Sequence, residues 1–113
     1  DGVIIISTPQ EIALQDVKRG IRMYDKLKVK ILGLIDNMSH FIGDDGKKYA
    51  IFGEGGVKKT AEDFQKDFLG EIPIDPEVGK QGDMGSPIVE SKPDHKISKT
   101  YFKLAEKIKS IYL

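Results

Sequence analysis

The apolar run Val29-Lys30-Ile31-Leu32-Gly33-Leu34-Ile35 leads straight into Asp36-Asn37-Met38-Ser39. A buried strand ending in short polar residues is how α/β proteins present side chains to a ligand. In open α/β sheets, ligands sit beyond the carboxyl ends of the strands. The competing reading of Asn37 is a residue that closes a turn after a strand and needs no ligand. Further on, Ile51-Phe52-Gly53-Glu54-Gly55-Gly56 forms a glycine-rich turn that opens a helix at Val57. A phosphate cradle needs successive backbone N–H groups and a lysine at a helix N-terminus. Gly53-Glu54-Gly55-Gly56 lacks a following Gly-Lys-Ser/Thr, so it is a poor phosphate loop. Any chemistry is expected between Asp36 and Gly56.

Other groupings are weaker. His40, Asp44 and Asp45 offer oxygen and nitrogen ligands. Two adjacent aspartates in a glycine-bounded turn are more often turn residues than a cation loop. His40 and His95 stand far apart and lack partner ligands for zinc. Ser39 and His40 are adjacent, but catalytic triads are spatial and adjacency alone does not make one.

The elements that position these residues follow from patterning. Val3-Ile4-Ile5-Ile6 reads as a strand buried on both faces, as in a parallel sheet. Thr8, Pro9 and Glu11 read as N-cap, N1 and capping-box residues of a helix. Ala13, Val17, Ile21, Tyr24 and Leu27 make its apolar stripe. Val29 to Ile35 is a second buried strand, giving a right-handed β-α-β unit. Phe41-Ile42 and Tyr49 to Phe52 flank Gly43-Asp44-Asp45-Gly46 as a hairpin. A short helix is expected over 57–65 and a third strand over 68–74, stopped by Pro73 and Pro76. Residues 76–93 read as a loop with a short helical turn. Asp94 is expected to cap a final helix with a stripe of Ile97, Tyr101, Leu104, Ala105, Ile108 and Tyr112. The fold class is α/β, with about three parallel strands and flanking helices. One sheet edge is expected to pair with strands outside this chain, since an exposed apolar edge invites aggregation.

The 113 residues make one domain-sized unit. Lys+Arg and Asp+Glu both number 18, so no basic field favours nucleic acid. Cysteine is absent, which removes disulfides and thiolate metal sites from this chain. No apolar run reaches the length of a membrane span, and no signal peptide is visible. The Asp1-Gly2 start suggests a piece of something longer.

Five blocks, in order, resemble a known family. Ser7-Thr8-Pro9-Gln10-Glu11-Ile12-Ala13-Leu14-Gln15-Asp16-Val17 is similar to a "TPQ-x-x-AL-x-DV" block. Asn37-Met38-Ser39-His40-Phe41, Ile51-Phe52-Gly53-Glu54-Gly55-Gly56, Leu69-Gly70-Glu71-Ile72-Pro73-Ile74-Asp75 and Gly82-Asp83-Met84-Gly85-Ser86-Pro87-Ile88-Val89 follow. They resemble the Mrp-type (ApbC-type) iron–sulfur cluster carrier ATPases, of the MinD/ParA-like P-loop class.

The resemblance implies a doubly wound parallel-sheet P-loop NTPase fold, of which residues 1–113 form the C-terminal half. It implies that Asn37 hydrogen-bonds adenine, since an amide offers both donor and acceptor. With Met38, Pro73, Ile74 and Asp75 it would make the base-binding side of an ATP site. Magnesium would belong to the parent protein, and the Walker A half lies upstream. This chain alone is then not expected to hydrolyse ATP. The family further implies a cytoplasmic homodimer with iron–sulfur client or scaffold proteins. Asp16, Lys18 and Arg19 would take a coupling or dimer role there; a solvated charged face is the simpler reading. Cluster-bridging relatives carry a C-x-x-C where this chain has Ile42-Gly43-Asp44-Asp45-Gly46, so no thiolate is available for a cluster here. Two alternatives stay open: a ParA/MinD-type positioning ATPase, and a non-catalytic interaction domain.

Overall fold

The computed structural model describes residues 2–112. Three parallel strands form the sheet: β1 (Val3–Ser7), β2 (Ile31–Asn37) and β5 (Phe68–Ile72), in spatial order β1-β2-β5. Between them in sequence run α1 (Glu11–Lys26), a small antiparallel hairpin of β3 (Phe41–Ile42) and β4 (Lys48–Tyr49), and α2 (Gly56–Asp63). After β5 come α3 (Pro76–Asp83), α4 (Ile88–Ser91) and α5 (Lys96–Tyr112).

Alternation along β2 divides the core in two. Leu34 joins Leu14, Val17 and Ile21 of α1 and Val57 and Ala61 of α2 on one face. Ile35 joins Leu69, Ile72 and Leu104 on the other, with Ile4, Tyr101 and Ile108 packed against them. Helices therefore cover both faces, the arrangement expected for an α/β chain whose strands are apolar on both sides. Side chains alternate across a strand. Asp36 consequently emerges on the α1–α2 face and Asn37 on the α5 face. At Gly33 the sheet admits no side chain. A Cβ there would meet Leu69 Cγ at 2.6 Å and the Asp67 carbonyl oxygen at 2.9 Å.

Several element boundaries differ from the sequence-based expectation. β2 lies two residues later than expected, so Asn37 is its last residue. The N-cap of α1 is Gln10, with no side-chain cap bond, and Thr8 is not the cap. The Thr8 hydroxyl instead donates to Gln10 Oε1 at 3.0 Å. Leu27 lies off the α1 stripe and is 63% exposed. β4 takes Lys48 and Tyr49 rather than the more apolar Tyr49 to Phe52, because Asp45 organises the turn: it accepts from the Lys47 N–H and the Tyr49 hydroxyl.

β5 stops at Ile72, and residues 76–83 form a helix rather than a loop. The reason is Asp75-Pro76, an N-cap aspartate followed by an N1 proline; Asp75 accepts the Glu77 N–H at 2.9 Å. At α5 the cap is made by His95, whose Nδ1 accepts the Ile97 N–H at 3.1 Å, and not by Asp94. Ala105 is exposed, off the α5 stripe.

Among the described residues β1 pairs with a strand on one side only, and Ile6 is 57% exposed. No helix of the described residues is long and apolar enough to cross a membrane.

Candidate functional site

The C-terminal ends of β2 and β5 lie side by side, with Asn37 in register with Ile72. Beyond that pair the two chains stay stitched without forming a regular ladder. The Ser39 N–H donates to the Ile72 carbonyl at 3.1 Å, and the Ile74 N–H donates to the His40 carbonyl at 2.6 Å. Between these segments opens a cleft of about 390 Å³. Its walls are Asn37 and Met38 on one side and Pro73, Ile74 and Asp75 on the other, with Tyr101 of α5 reaching in. All five residues singled out in the sequence line this one cleft. The lining is mostly apolar with a few polar groups, the usual character of a small-molecule site.

Met38 holds φ at +54°, in the left-handed region. That costs a non-glycine residue about 1–2 kcal/mol. The twist lets the chain leave β2 and turn directly into Ser39, whose hydroxyl is within 3.4 Å of the Ile72 carbonyl.

Asp75 lines the cleft but its carboxylate is occupied. One oxygen caps α3, and the other stands 3.8 Å from His95 Nε2 and 4.0 Å from Lys96 Nζ. Its contribution to the cleft is therefore to hold α3 in place as a wall. Glu77 fastens the same helix outward, accepting from Gln81 at 2.8 Å and from Lys92 at 2.6 Å. Sequence reasoning missed several further lining residues, among them Val78, Gly79 and Tyr101. Val78 and Gly79 fell in a stretch read as loop, and Tyr101 was read only as core. The Asp-Pro pair at 75–76 was the signal that places the first two.

On the opposite face of β2 lies a second, polar cleft of about 380 Å³, lined by Asp36, Ser39, His40, Lys48, Glu54 and Glu71. His40 Nδ1 stands 2.7 Å from Ser39 Oγ and 3.6 Å from Glu71 Oε2. A hydrolytic triad needs the hydroxyl and the acid on different ring nitrogens. Here both meet the same one, so the trio is not a triad. Burial, then Lys48, holds His40 below its ordinary value, with Glu71 opposing. Among the described residues no three His, Asp or Glu side chains are arranged to hold a metal ion.

Asp16, read in the sequence beside Lys18 and Arg19, pairs with Arg19 at 3.2 Å on an exposed surface. Such a pair contributes little. A larger hollow of about 470 Å³ runs along β1 and α1, walled by Ile4, Ile6, Ala13 and Val17. It flanks the β1 edge of the sheet, with Ser7 and Thr8 at its end.

Residues 1–109 match the family described as ParA, NUBPL iron-transfer P-loop NTPase. The chain belongs to this family. It is 40% identical over 111 residues to the iron-sulfur cluster carrier protein of Aquifex aeolicus, covering 97% of this chain and 30% of that protein. It is 42% identical over 108 residues to the Arabidopsis thaliana iron-sulfur protein required for NADH dehydrogenase, mitochondrial, covering 95% of this chain and 34% of that one. The chain thus spans about a third of the length of these curated relatives. Among solved structures it resembles a nucleotide-binding protein from Archaeoglobus fulgidus in complex with ADP. That match has 36% identity and a TM-score of 0.67, covering 82% of this chain and 38% of that one. The cell division ATPase MinD of Pyrococcus furiosus shares the fold at 24% identity and a TM-score of 0.72, covering 96% of this chain and 42% of that one. The α/β fold expected from the sequence is therefore that of a P-loop NTPase, and the relatives named as iron–sulfur carriers match almost all of the chain.

Proposed function

We propose that residues 1–113 supply the base-binding side of a nucleotide site in an ATP-driven iron–sulfur carrier. The observation that carries this reading is the meeting of Asn37 and Met38 from β2 with Pro73, Ile74 and Asp75 after β5 around one largely apolar cleft. A purine lies between the two walls, and the Asn37 amide meets its edge with one donor and one acceptor. Ile72, Ile74 and Tyr101 exclude water around the ring, which strengthens those hydrogen bonds. The solved Archaeoglobus fulgidus relative, bound to ADP, supports a nucleotide as the ligand class.

The phosphates, their magnesium and the attacking water belong to a Walker loop outside these residues. Among the described residues no His, Asp or Glu side chains converge to hold a metal ion. Residues 1–113 thus bind and orient, and hydrolysis is driven from the remainder of the protein. Iron–sulfur cargo poses a separate requirement. Such clusters are held by thiolates, and the chain contains no cysteine. The hairpin at 41–49 does not fit a cluster, and any thiolate ligands come from elsewhere in the protein or its partner. A homodimer that closes on ATP, working in the cytoplasm, is the assembly this reading favours.

The test is titration of the full-length protein with a fluorescent ATP analogue, beside Asn37→Ala. The expected result is binding weakened about tenfold or more by the variant, from leaving a ligand group unpaired, with an unchanged melting temperature. Equal affinity in the two proteins overturns the role of Asn37. No binding in either overturns the nucleotide site.

A further inference from the structure

Asp36 is 3% exposed, and its Oδ1 is buried without a hydrogen-bond partner among the described residues. A buried carboxylate left unpaired is costly, and each such group calls for an explanation. The neighbours sharpen the problem. Parallel pairing sets Ser7 of β1 on one side of Asp36 and Glu71 of β5 on the other. Facing it across the polar cleft are His40 from the turn after β2, Lys48 from β4 and Glu54 from the loop before α2. The one lysine in this lining is engaged elsewhere, 3.6 Å from Glu71 Oε2, and His40 stands 3.6 Å from that same oxygen. What shields Asp36 from water on this side is segment 39–55, which carries the β3–β4 hairpin and contributes six of the cleft's eight lining residues.

We propose that segment 39–55 is a cover over Asp36 whose closure is coupled to the proton on that carboxyl group: it lies shut over the neutral acid and lifts when the acid ionises, admitting water to the anion. The electrostatics agree in sign. Burial, with Glu71 beside it, pushes the Asp36 carboxyl up to about 6, and Lys48 pulls it back only in part. When the cover lifts, water returns and the carboxyl falls toward its ordinary value. The closed state therefore binds the proton more tightly than the open one, and rising pH favours opening.

The cover is also tied to the other side of the sheet. Its Ser39 N–H and its His40 carbonyl are the groups bonded to Ile72 and Ile74, which wall the Asn37 cleft. Lifting it loosens that wall. This last step rests on the cleft being the nucleotide site; the cover itself does not.

The test is hydrogen–deuterium exchange of the full-length protein without nucleotide, from pH 5.0 to 7.5, corrected for the intrinsic exchange rate. The amides of Ser39 and Ile74, whose bonds join the cover to the end of β5 and the segment after it, report on it. Protection is expected to fall about tenfold over this range in the wild type and to stay flat in Asp36→Asn. A wild type without pH dependence, or a variant with the same dependence, overturns the proposal. Lys48→Met provides an independent check should Asp36→Asn not fold. Loss of the lysine is expected to move the transition to higher pH, and an unmoved transition also overturns the proposal. With ATP present, affinity is expected to fall with rising pH in the wild type and not in Asp36→Asn. Absence of ATP binding would overturn the nucleotide reading and leave the exchange result standing.

Discussion

Asn37 and Ile72 are the last pair in register between β2 and β5, and the candidate cleft begins where that pairing stops. Beyond that pair the two segments diverge around a cleft of about 390 Å³. They are kept from parting further by the Ser39–Ile72 and Ile74–His40 backbone bonds. Regular sheet lies on one side of the cleft and stitched loop on the other, and neither fills the space between.

Gly79 lines this cleft from α3, and a Cβ there would meet nothing within 4 Å. Gly79→Ala is expected to raise stability by about 0.5–1 kcal/mol through helix propensity, read by urea denaturation. Gly79→Phe is expected to keep the fold and to weaken nucleotide binding by more than tenfold, because its ring would fill part of the cleft proposed to hold the base.

The Asp36 carboxyl sits at about 6 in the folded protein, above its ordinary value of 3.8. A raised acid favours the folded state below the unfolded value, and that benefit is lost as pH rises through the folded one. Asp36→Asn removes the buried charge while keeping the shape. The variant is expected to melt higher than the wild type at pH 7.5, with the gap narrowing as pH falls through 6 and closing near pH 4. Melting curves across that range check it.

Asp75 serves as a helix cap at the edge of the candidate site. Asp75→Ala is expected to cost about 1 kcal/mol of stability, seen in chemical denaturation. Asp75→Asn keeps the capping oxygen and is expected to recover most of the loss. Since α3 walls the cleft, the alanine variant should also weaken nucleotide binding, and the asparagine variant should not.

Lys28 closes α1 with φ at +59°. Its N–H bonds to the Asp25 carbonyl, and the next N–H, of Val29, bonds to the Tyr24 carbonyl. This is the Schellman arrangement, in which glycine is the usual residue. Lys28→Gly is expected to stabilise the protein by about 1 kcal/mol by relieving the left-handed strain, measured as a rise in the denaturation midpoint.

The sheet was legible because each strand is a compact apolar run, and because the first two flank a helix with a clean apolar stripe. Asn37 was legible because it ends such a run. The cleft's composition was only half legible. Pro73, Ile74 and Asp75 stand next to a strand end, whereas Val78, Gly79 and Tyr101 reach the site through the packing of α3 and α5, which no local pattern encodes. Asp75-Pro76 carried a helix start, but the glycine-rich stretch after it lacks an apolar period and masked the helix. Asp36 drew no separate reading. It sits one residue before Asn37, and the solitude of a buried carboxylate depends on which groups fold over it. The lysine at 28 also hid its turn, since it lacks the glycine that marks such caps.

β2 ends in two neighbouring residues that serve different chambers, Asp36 on one face of the sheet and Asn37 on the other. Because a strand alternates with a period of two, gain or loss of one residue within β2 would exchange their occupants. The acid would then face the apolar cleft and the amide would lie beneath the hairpin. A change of two residues would restore the assignment. Insertions and deletions in this strand are thus constrained by parity, and an even-numbered change is the kind the site can survive.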